Sequence, residues 1–438
     1  MEQTSGDWQD RRDVLCVRLD AIGDVLMSTP AIRALRRQRA DRRITLLTSR
    51  SGAQAAALVP EIDRTIAYDP PWMKAPAGDD SAWRDCAAIE RLRACDLDAA
   101  AIFTVFSQSP LPAALTCHLA GIPRRLAHCR ENPYRLLTDW VRESEPEQGV
   151  RHEVQRQLDL VDSVGARPAG TGLSLEVPED AAASALAALR DAGQDPAEPW
   201  LLLHPGATAE SRRYPLDDYA EAMRLLARRT GRRVVIAGGA GERAAVAALS
   251  TQVAGAVTLA GDLSFAELCG LIAAAPVLVC NNSAPAHVAA AVGTPVLVLY
   301  ALTNPQHTPW QARSRVLSHD VPCRWCYRSV CPEGHHACLR RVPPADVAAA
   351  ALELLAADGS DRAGPLAGSG AVAPRIRCQP GEDAGRGDGE VQEVVGGVDG
   401  NQPDDVVAVD EAPDRHDQVD GAEAERVEAR RGCRHEDR

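Results

Sequence analysis

Val277-Leu278-Val279-Cys280-Asn281-Asn282-Ser283-Ala284-Pro285-Ala286-His287 runs through Val288–Val292 into Gly293-Thr294-Pro295 and then Val296–Tyr300. Val277–Cys280 is a short apolar run of the kind that forms a buried strand. Small polar residues interrupt it, and Pro285 suits the first turn of a helix because its missing N–H has no partner there. Gly293 and Pro295 close that helix, and Pro295–Tyr300 is a second buried strand. A strand, a polar corner, a helix and a further strand in 24 residues make a βαβ unit, and such units imply a parallel sheet. The free N–H groups at the start of the helix favour an anion.

The same alternation extends in both directions. Towards the N-terminus the sequence predicts strands at Trp200–His204, Arg233–Ala237 and Val257–Ala260. Helices are predicted over Leu216–Thr230 and Ser264–Ala275, the latter with Ser264 and Glu267 as a capping box. After Pro343-Pro344 comes a last amphipathic helix ending near Ala356. The first half repeats the pattern: strands at Val14–Leu19, Ile44–Thr48, Arg64–Tyr68 and Asp98–Val105, with a helix after Gly23 and others at Trp83–Cys95, Leu111–Ala120 and Gln148–Val164. The expected organisation is a flexible N-terminus (1–13), a Rossmann-like domain (14–170), a linker region (171–199) with one Ala-rich helix, a second Rossmann-like domain (200–357), and a tail (358–438). The tail is rich in Gly, Asp, Glu and Pro and poor in aromatic residues, so it cannot bury enough apolar surface to offset ordering entropy. It is expected to be disordered, either as a regulatory tail or as an extension without function.

Bulk charge excludes little. The chain carries −13 formally, but residues 358–438 alone hold 20 acidic and 10 basic side chains. The two domains are therefore nearly neutral, which gives no sign of a nucleic-acid partner. The first 13 residues are polar, with no signal-peptide pattern. The longest apolar stretch, Val288–Leu302, is shorter than the roughly 20 residues of a membrane span. A cytoplasmic protein is expected, with peripheral contact at the inner membrane as an option.

Candidate chemistry lies in loops that follow strands, where open α/β sheets bind ligands. Asp24, in Leu19-Asp20-Ala21-Ile22-Gly23-Asp24, reads either as a general base or as a first-turn acid favoured by the helix dipole. There is no G-x-G-x-x-G pattern around it. The loop from His204-Pro205-Gly206-Ala207-Thr208 to Ser211-Arg212-Arg213-Tyr214-Pro215 offers a glycine for close backbone approach and arginines for phosphate oxygens. Asn282, Ser283 and Ala284 stand at the anion-favouring helix start, with His287 one turn in. A fourth loop, Tyr300–Trp310, shares the rim. Arg33 and Arg36, in a run with Arg37, Arg39, Arg42 and Arg43, suit a phosphorylated acceptor or anionic lipid, or else a solvated helix face. Cys323-x2-Cys326-x4-Cys331-x6-Cys338, with His335 and His336, has the density of a structural zinc or iron–sulfur site, and reads equally as a Cys-rich loop.

Three of these segments together resemble glycosyltransferase family 9, the ADP-heptose:lipopolysaccharide heptosyltransferases. They are Gly23-Asp24 with Thr29-Pro30-Ala31, His204-Pro205-Gly206 with Arg213-Tyr214-Pro215, and Asn281–His287 running into Gly293-Thr294-Pro295. The resemblance covers about Val14–Ala356. It implies a GT-B fold, with the acceptor on the first domain and the nucleotide-sugar donor on the second. It implies inverting, single-displacement transfer to a lipid A–core-like glycan, with Asp24 as base; the loops themselves supply no acidic pair typical of Mg²⁺ chelation, which suits transfer without a metal. His204, Gly206, Thr208, Arg212, Asn282, Ser283, Ala284 and His287 would line the donor, and no cofactor is required for catalysis. Arg212 stands where the family usually has lysine. Asn282-Ser283-Ala284 stands where it often has Asp-Ser/Thr-Gly, which leaves the donor sugar open. A transferase or epimerase using another nucleotide sugar, and a non-catalytic binding protein, are the alternatives.

Overall fold

The computed structural model describes residues 8–73 and 82–358. The first seven residues of the expected flexible N-terminus, and the expected tail from residue 359 onward, lie outside them. Trp8, within the N-terminal 13, is fully buried, and its carbonyl accepts from the Arg42 guanidinium.

The first half contains β1 (Asp13–Arg18), α1 (Ile22–Arg37), β2 (Arg43–Thr48), α2 (Arg50–Ala56), β3 (Arg64–Ala67), α3 (Ala82–Arg93), β4 (Ala99–Ile102), α4 (Leu111–Leu119), β5 (Arg124–Cys129), β6 (Asp139–Arg142) and α5 (Glu153–Asp162). Its strands form one parallel sheet in the order β3-β2-β1-β4-β5-β6. After α6 (Glu179–Asp191) come β7 (Trp200–His204), α7 (Leu216–Thr230), β8 (Arg233–Gly238), α8 (Arg243–Ser250), β9 (Val257–Ala260), α9 (Phe265–Ala274), β10 (Leu278–Asn281), α10 (Ala284–Val292), β11 (Val296–Leu299), β12 (Ser314–Leu317), α11 (Ala337–Arg340) and α12 (Pro344–Asp358). These strands form a second parallel sheet, β12-β11-β10-β7-β8-β9. Counted from its own first strand, each sheet has the same order, 3-2-1-4-5-6. Each therefore reverses direction between its first and fourth strands, β1/β4 and β7/β10, and a ligand crevice opens at that switch point.

The inner strands form because their runs are apolar on both faces, as a sheet covered by helices requires. All four residues of β11, Val296–Leu299, are fully buried. Helix α1 shows how a proline is accommodated. Pro30 has no N–H to give the Leu26 carbonyl four residues earlier. The Thr29 hydroxyl donates to that carbonyl instead, at 2.7 Å, and accepts the Ser174 N–H at 2.9 Å. The Thr29-Pro30 pair thus repairs the helix and anchors the segment leading to α6.

That segment is more built than a linker. Leu173, Leu175 and Val177 pack on the core, and the Glu176 N–H donates to Leu58 at 2.8 Å. Helix α6 lies so near α9 that a Cβ on Gly270 would stand 2.8 Å from the Ala182 Cα. One apolar cluster runs from the first sheet, through α1 and α10, into the second. Among the described residues, no helix is long and apolar enough to cross a membrane.

Candidate active site

The loops after β1, β7, β10 and β11 meet between the two sheets, where α1 packs against α10. A Cβ on Gly23 would stand 2.5 Å from Cδ2 of His287. Only glycine lets the imidazole lie against the start of α1, which brings Asp24 to the second domain.

Asp24 occupies the first turn of α1. Its Oδ2 accepts the Ala21 N–H at 3.2 Å, and its Oδ1 accepts from Arg18 Nη2 at 3.0 Å. Asp24 is therefore both a first-turn acid and a residue at the crevice. The side chain keeps 23% of its surface open. Burial pushes the carboxyl up, but Arg18 chiefly, then His307, His287 and the Ala21 N–H, bring it below the ordinary aspartate range. Arg18, at the end of β1, is fully buried and also meets Glu153 of α5 at 2.7 Å and Asp20 at 3.0 Å. Asp20 accepts from Gln108 Nε2 at 2.7 Å, yet burial pushes its carboxyl up to about 6.

On the opposite wall Arg212 is mostly enclosed. Its Nη1 approaches the Asn282 carbonyl at 3.5 Å, and its Nε has no hydrogen-bond partner. Burial lowers its pKa, and Asp24 and Tyr300 work against that, so carboxylate and guanidinium feel one another across the crevice. Ser283 is the N-cap of α10, and its hydroxyl donates to the Asn281 carbonyl at 3.3 Å instead of capping the helix. The start of α10 therefore has no side-chain cap; Pro285 carries no N–H and the Ala286 N–H donates to the Ser283 carbonyl at 3.0 Å, which leaves the Ala284 N–H beside Arg212, a pairing suited to a phosphate oxygen. His287 and His307 complete the lining. Burial holds them neutral, with pKa values near 3 and 4.

Asn281 and several of the expected donor residues have inward tasks. Asn281 is fully buried: its Nδ2 donates to the Pro205 carbonyl at 2.6 Å, and its Oδ1 accepts the Tyr214 N–H at 3.0 Å and the Tyr219 hydroxyl at 2.9 Å. One amide thus shapes the whole loop after β7. Asn282 also turns inward, donating to the Ala301 carbonyl at 3.3 Å and to Thr303 Oγ1 at 3.2 Å. Ala284 is the first residue of α10. His204 is buried and kept neutral by burial against the pull of Glu242, whose carboxylate lies 3.8 Å from its Nε2. Glu242 also fills the space above Gly206, where a Cβ would meet Oε1 at 1.5 Å. The close approach at Gly206 is thus to a side chain. Thr208 is exposed.

Arg33 and Arg36 stand away from this group, towards the far end of α1. Arg33 donates to the Gly172 carbonyl at 2.5 Å, and to Ser174, and pairs with Glu61 at 3.4 Å. Arg36 pairs with Asp63. The four clustered thiols do come together, lining one small cavity with His335 and His336. Cys323 Sγ lies 3.7 Å from His335 Nε2, and all four cysteines are free. Among the described residues, however, no three His, Cys, Asp or Glu side chains are arranged to hold a metal ion. The loop also braces Ser211, the neighbour of Arg212: Ser211 donates its N–H to Ser329 at 2.9 Å and its hydroxyl to Arg328 at 2.7 Å, and His336 Nε2 bonds the Ser211 carbonyl at 2.7 Å.

Residues 87–337 match glycosyltransferase family 9 (heptosyltransferase). The chain belongs to this family. Lipopolysaccharide heptosyltransferase 1 of Pseudomonas aeruginosa is 26% identical over 331 residues, 73% of this chain and 87% of that protein. Lipopolysaccharide heptosyltransferase 2 of Escherichia coli is 33% identical over 147 residues, 32% of this chain and 42% of that protein. Among solved structures, a family 9 glycosyl transferase of Veillonella parvula superposes with a TM-score of 0.67 at 20% identity, covering 82% of this chain and 99% of that one. The ADP-heptose lipopolysaccharide heptosyltransferase II of Escherichia coli does so with 0.63 at 23%, covering 80% and 100%. At those identities the superpositions establish the fold, the GT-B pair of sheets. Family membership makes the chain a glycosyltransferase of the heptosyltransferase type.

Proposed function

We propose that this glycosyltransferase moves a heptose, or a closely related sugar, from an ADP-sugar to a lipopolysaccharide-core-like acceptor by a single inverting displacement. The observation that carries the reading is the facing pair: an ionised Asp24 held by Arg18 on one wall, and an unpaired Arg212 Nε beside the uncapped start of α10 on the other. Asp24 takes the proton of the acceptor hydroxyl as that oxygen attacks the anomeric carbon. The bond to the diphosphate breaks on the opposite face. The departing charge meets Arg212 and the Ala284 N–H at the start of α10, which act where charge develops, and no divalent cation or other cofactor is required. Ser283, His287, His204, Gly206, Thr208, Asn282 and Ala284 surround the donor. The names of the curated relatives support the donor and acceptor classes.

In this reading the enzyme works in the cytoplasm at the membrane face that displays its acceptor. Arg33 and Arg36 keep a role in acceptor binding only if they exchange Glu61 and Asp63 for acceptor phosphates. The test is a donor-binding screen, ADP-heptose against UDP- and GDP-sugars, joined to turnover of Asp24→Asn. The expected result is selective ADP-heptose binding, retained in Asp24→Asn, with transfer reduced at least a thousandfold. Wild-type turnover by the variant removes Asp24 as base. Preference for a UDP- or GDP-sugar removes the donor assignment. Loss of transfer in EDTA, restored by a divalent cation, removes metal independence.

A further inference from the structure

Asp24 is the outermost member of a buried chain of polar contacts. The Thr104 carbonyl, just beyond β4, accepts from both Arg156 Nε and Gln157 Nε2 at 3.0 Å. Gln157 also donates to Glu153 Oε1 at 2.6 Å, and that oxygen accepts from Arg18 Nη1 at 2.7 Å. Arg18 then reaches Asp24 Oδ1 with Nη2 at 3.0 Å. Arg18, Glu153 and Gln157 are all fully buried. An arginine so enclosed is costly unless it is paired, and its rigid fork can hold separate carboxylates in fixed directions where a lysine ammonium could not.

We propose that Arg18, locked in place by Glu153, is the positioning residue for Asp24: it fixes the direction of the carboxylate and keeps it ionised while the outer face of Asp24 stays open to the crevice. This inference rests on the reading of Asp24 as the base. Arg18 donates from inside the first domain, so the carboxylate is anchored from below and leaves the acceptor side free. Asp24 Oδ2 is fixed in turn by the Ala21 N–H. Both oxygens thereby have a set direction before substrate arrives, which a base acting in one step requires.

The charge around the pair is unusual and makes the role measurable. One guanidinium faces three carboxylates, those of Asp20, Asp24 and Glu153. The other ionisable groups facing Asp24 are His287 of α10, His307 of the loop after β11, and Arg212 of the loop after β7. Arg18 is thus the near cation, and weakening its grip leaves Asp24 beside Asp20 with less compensation.

The test is the pH dependence of kcat/KM, measured with ADP-heptose and a lipopolysaccharide-core acceptor, for Arg18→Lys, Arg18→Met, Glu153→Gln and Asp24→Asn. Donor affinity is measured in parallel by calorimetry. Arg18→Met should lower kcat at least tenfold and move the acid limb upward by about one pH unit or more, with donor affinity within twofold of wild type. Arg18→Lys should restore the position of the limb while recovering only part of the rate, because charge returns without the fork. Glu153→Gln keeps an acceptor for Arg18 but frees it from one carboxylate, so the limb should move down. If Arg18→Met does not fold, Arg18→Lys and Glu153→Gln carry the test. Rates and limbs like the wild type in both overturn the proposal, as does a uniform loss of rate with no shift of the limb in any variant. An active Asp24→Asn overturns the base assignment itself. An inactive Asp24→Asn beside unshifted Arg18 variants overturns only the positioning role.

Discussion

Replacing Gly23 with alanine is the sharpest probe of how the two domains meet. The added Cβ would stand 2.5 Å from Cδ2, 3.1 Å from Nε2 and 3.3 Å from Cγ of His287. It would press on the imidazole ring, whose residue is only 5% exposed and sits on a buried helix. Overpacking of this kind costs about 1–3 kcal/mol. Against it, alanine in a helix is better than glycine by about 1 kcal/mol. The net for Gly23→Ala is thus a loss of roughly 0–2 kcal/mol. His287→Ala removes the obstacle, so in that background the same change should stabilise by about 0.5–1 kcal/mol. The sign reversal is the signature, and the coupling between the sites should be about 1–3 kcal/mol. Thermal unfolding of the four proteins measures it, since 1 kcal/mol moves Tm by about 2–4 °C in domains of this size. The single change should also displace Asp24, the next residue, and lower kcat/KM about ten- to a hundredfold. If Gly23→Ala alters Tm equally with and without His287, the two residues are not in contact in solution and the account of the interdomain approach fails.

Asn281→Ala should be among the most damaging single changes in the second domain. It leaves the Pro205 carbonyl, the Tyr214 N–H and the Tyr219 hydroxyl without their buried partner, at about 3–5 kcal/mol in total. A loss below about 1 kcal/mol in urea unfolding contradicts the hub role. Stability should rise with pH between about 4 and 6.5, because burial depresses His287 to about 3 and His128, His152 and His307 to about 4. These groups bind protons in the unfolded chain before they do in the folded one. A urea midpoint at pH 5 equal to that at pH 7.5 contradicts this. Asp20 has the opposite sign. Its carboxyl is raised to about 6 in the folded chain, so its charge weighs against folding as pH climbs through 4 to 6. Asp20→Asn should therefore stabilise the protein at pH 7, by at most about 3 kcal/mol, and the gain should vanish below pH 4. A lower Tm for the variant at pH 7 refutes it.

The alternation of strands and helices was legible because both sheets are parallel and covered, so their strands are nearly continuous apolar runs. The strands that escaped were those whose residues look wrong for a core. In β5, Arg124–Cys129, the buried Arg125 is satisfied by the carbonyls of Ile122, Pro123, Arg135 and Leu136, a pattern no local rule reveals. Strands β6 and β12 have four residues each and are half-exposed. Asp24 could be placed at the crevice because it follows a strand. Arg18 could not, since a charge within an apolar strand carries no local sign of its partners, and Glu153 lies 135 residues away. The adjacent Asn281 and Asn282 are alike in composition. Only the packing tells that the first holds the loop after β7 and the second the loop after β11.

The two walls of the crevice differ in how finished they are, and the difference matches the chemistry proposed. On the side of Asp24 the base itself is engaged before any ligand arrives: both of its carboxylate oxygens accept bonds, and Arg18 is surrounded by carboxylates. A base must point in one direction throughout the reaction, so its shell can be completed from within the domain. On the side of α10 the opposite holds. Arg212 Nε lacks a partner, and the helix begins without a side-chain cap although a serine occupies the capping position. Donors left unpaired in an enclosed place are unfavourable until something accepts from them, and the acceptor that suits both is an anionic oxygen. A diphosphate would complete this wall, and its departure after transfer would return the wall to its unpaired state. Ser283 then matters through what it leaves open: its hydroxyl bonds backward to Asn281 and does not cap the helix, so the Ala284 N–H stays available to the donor.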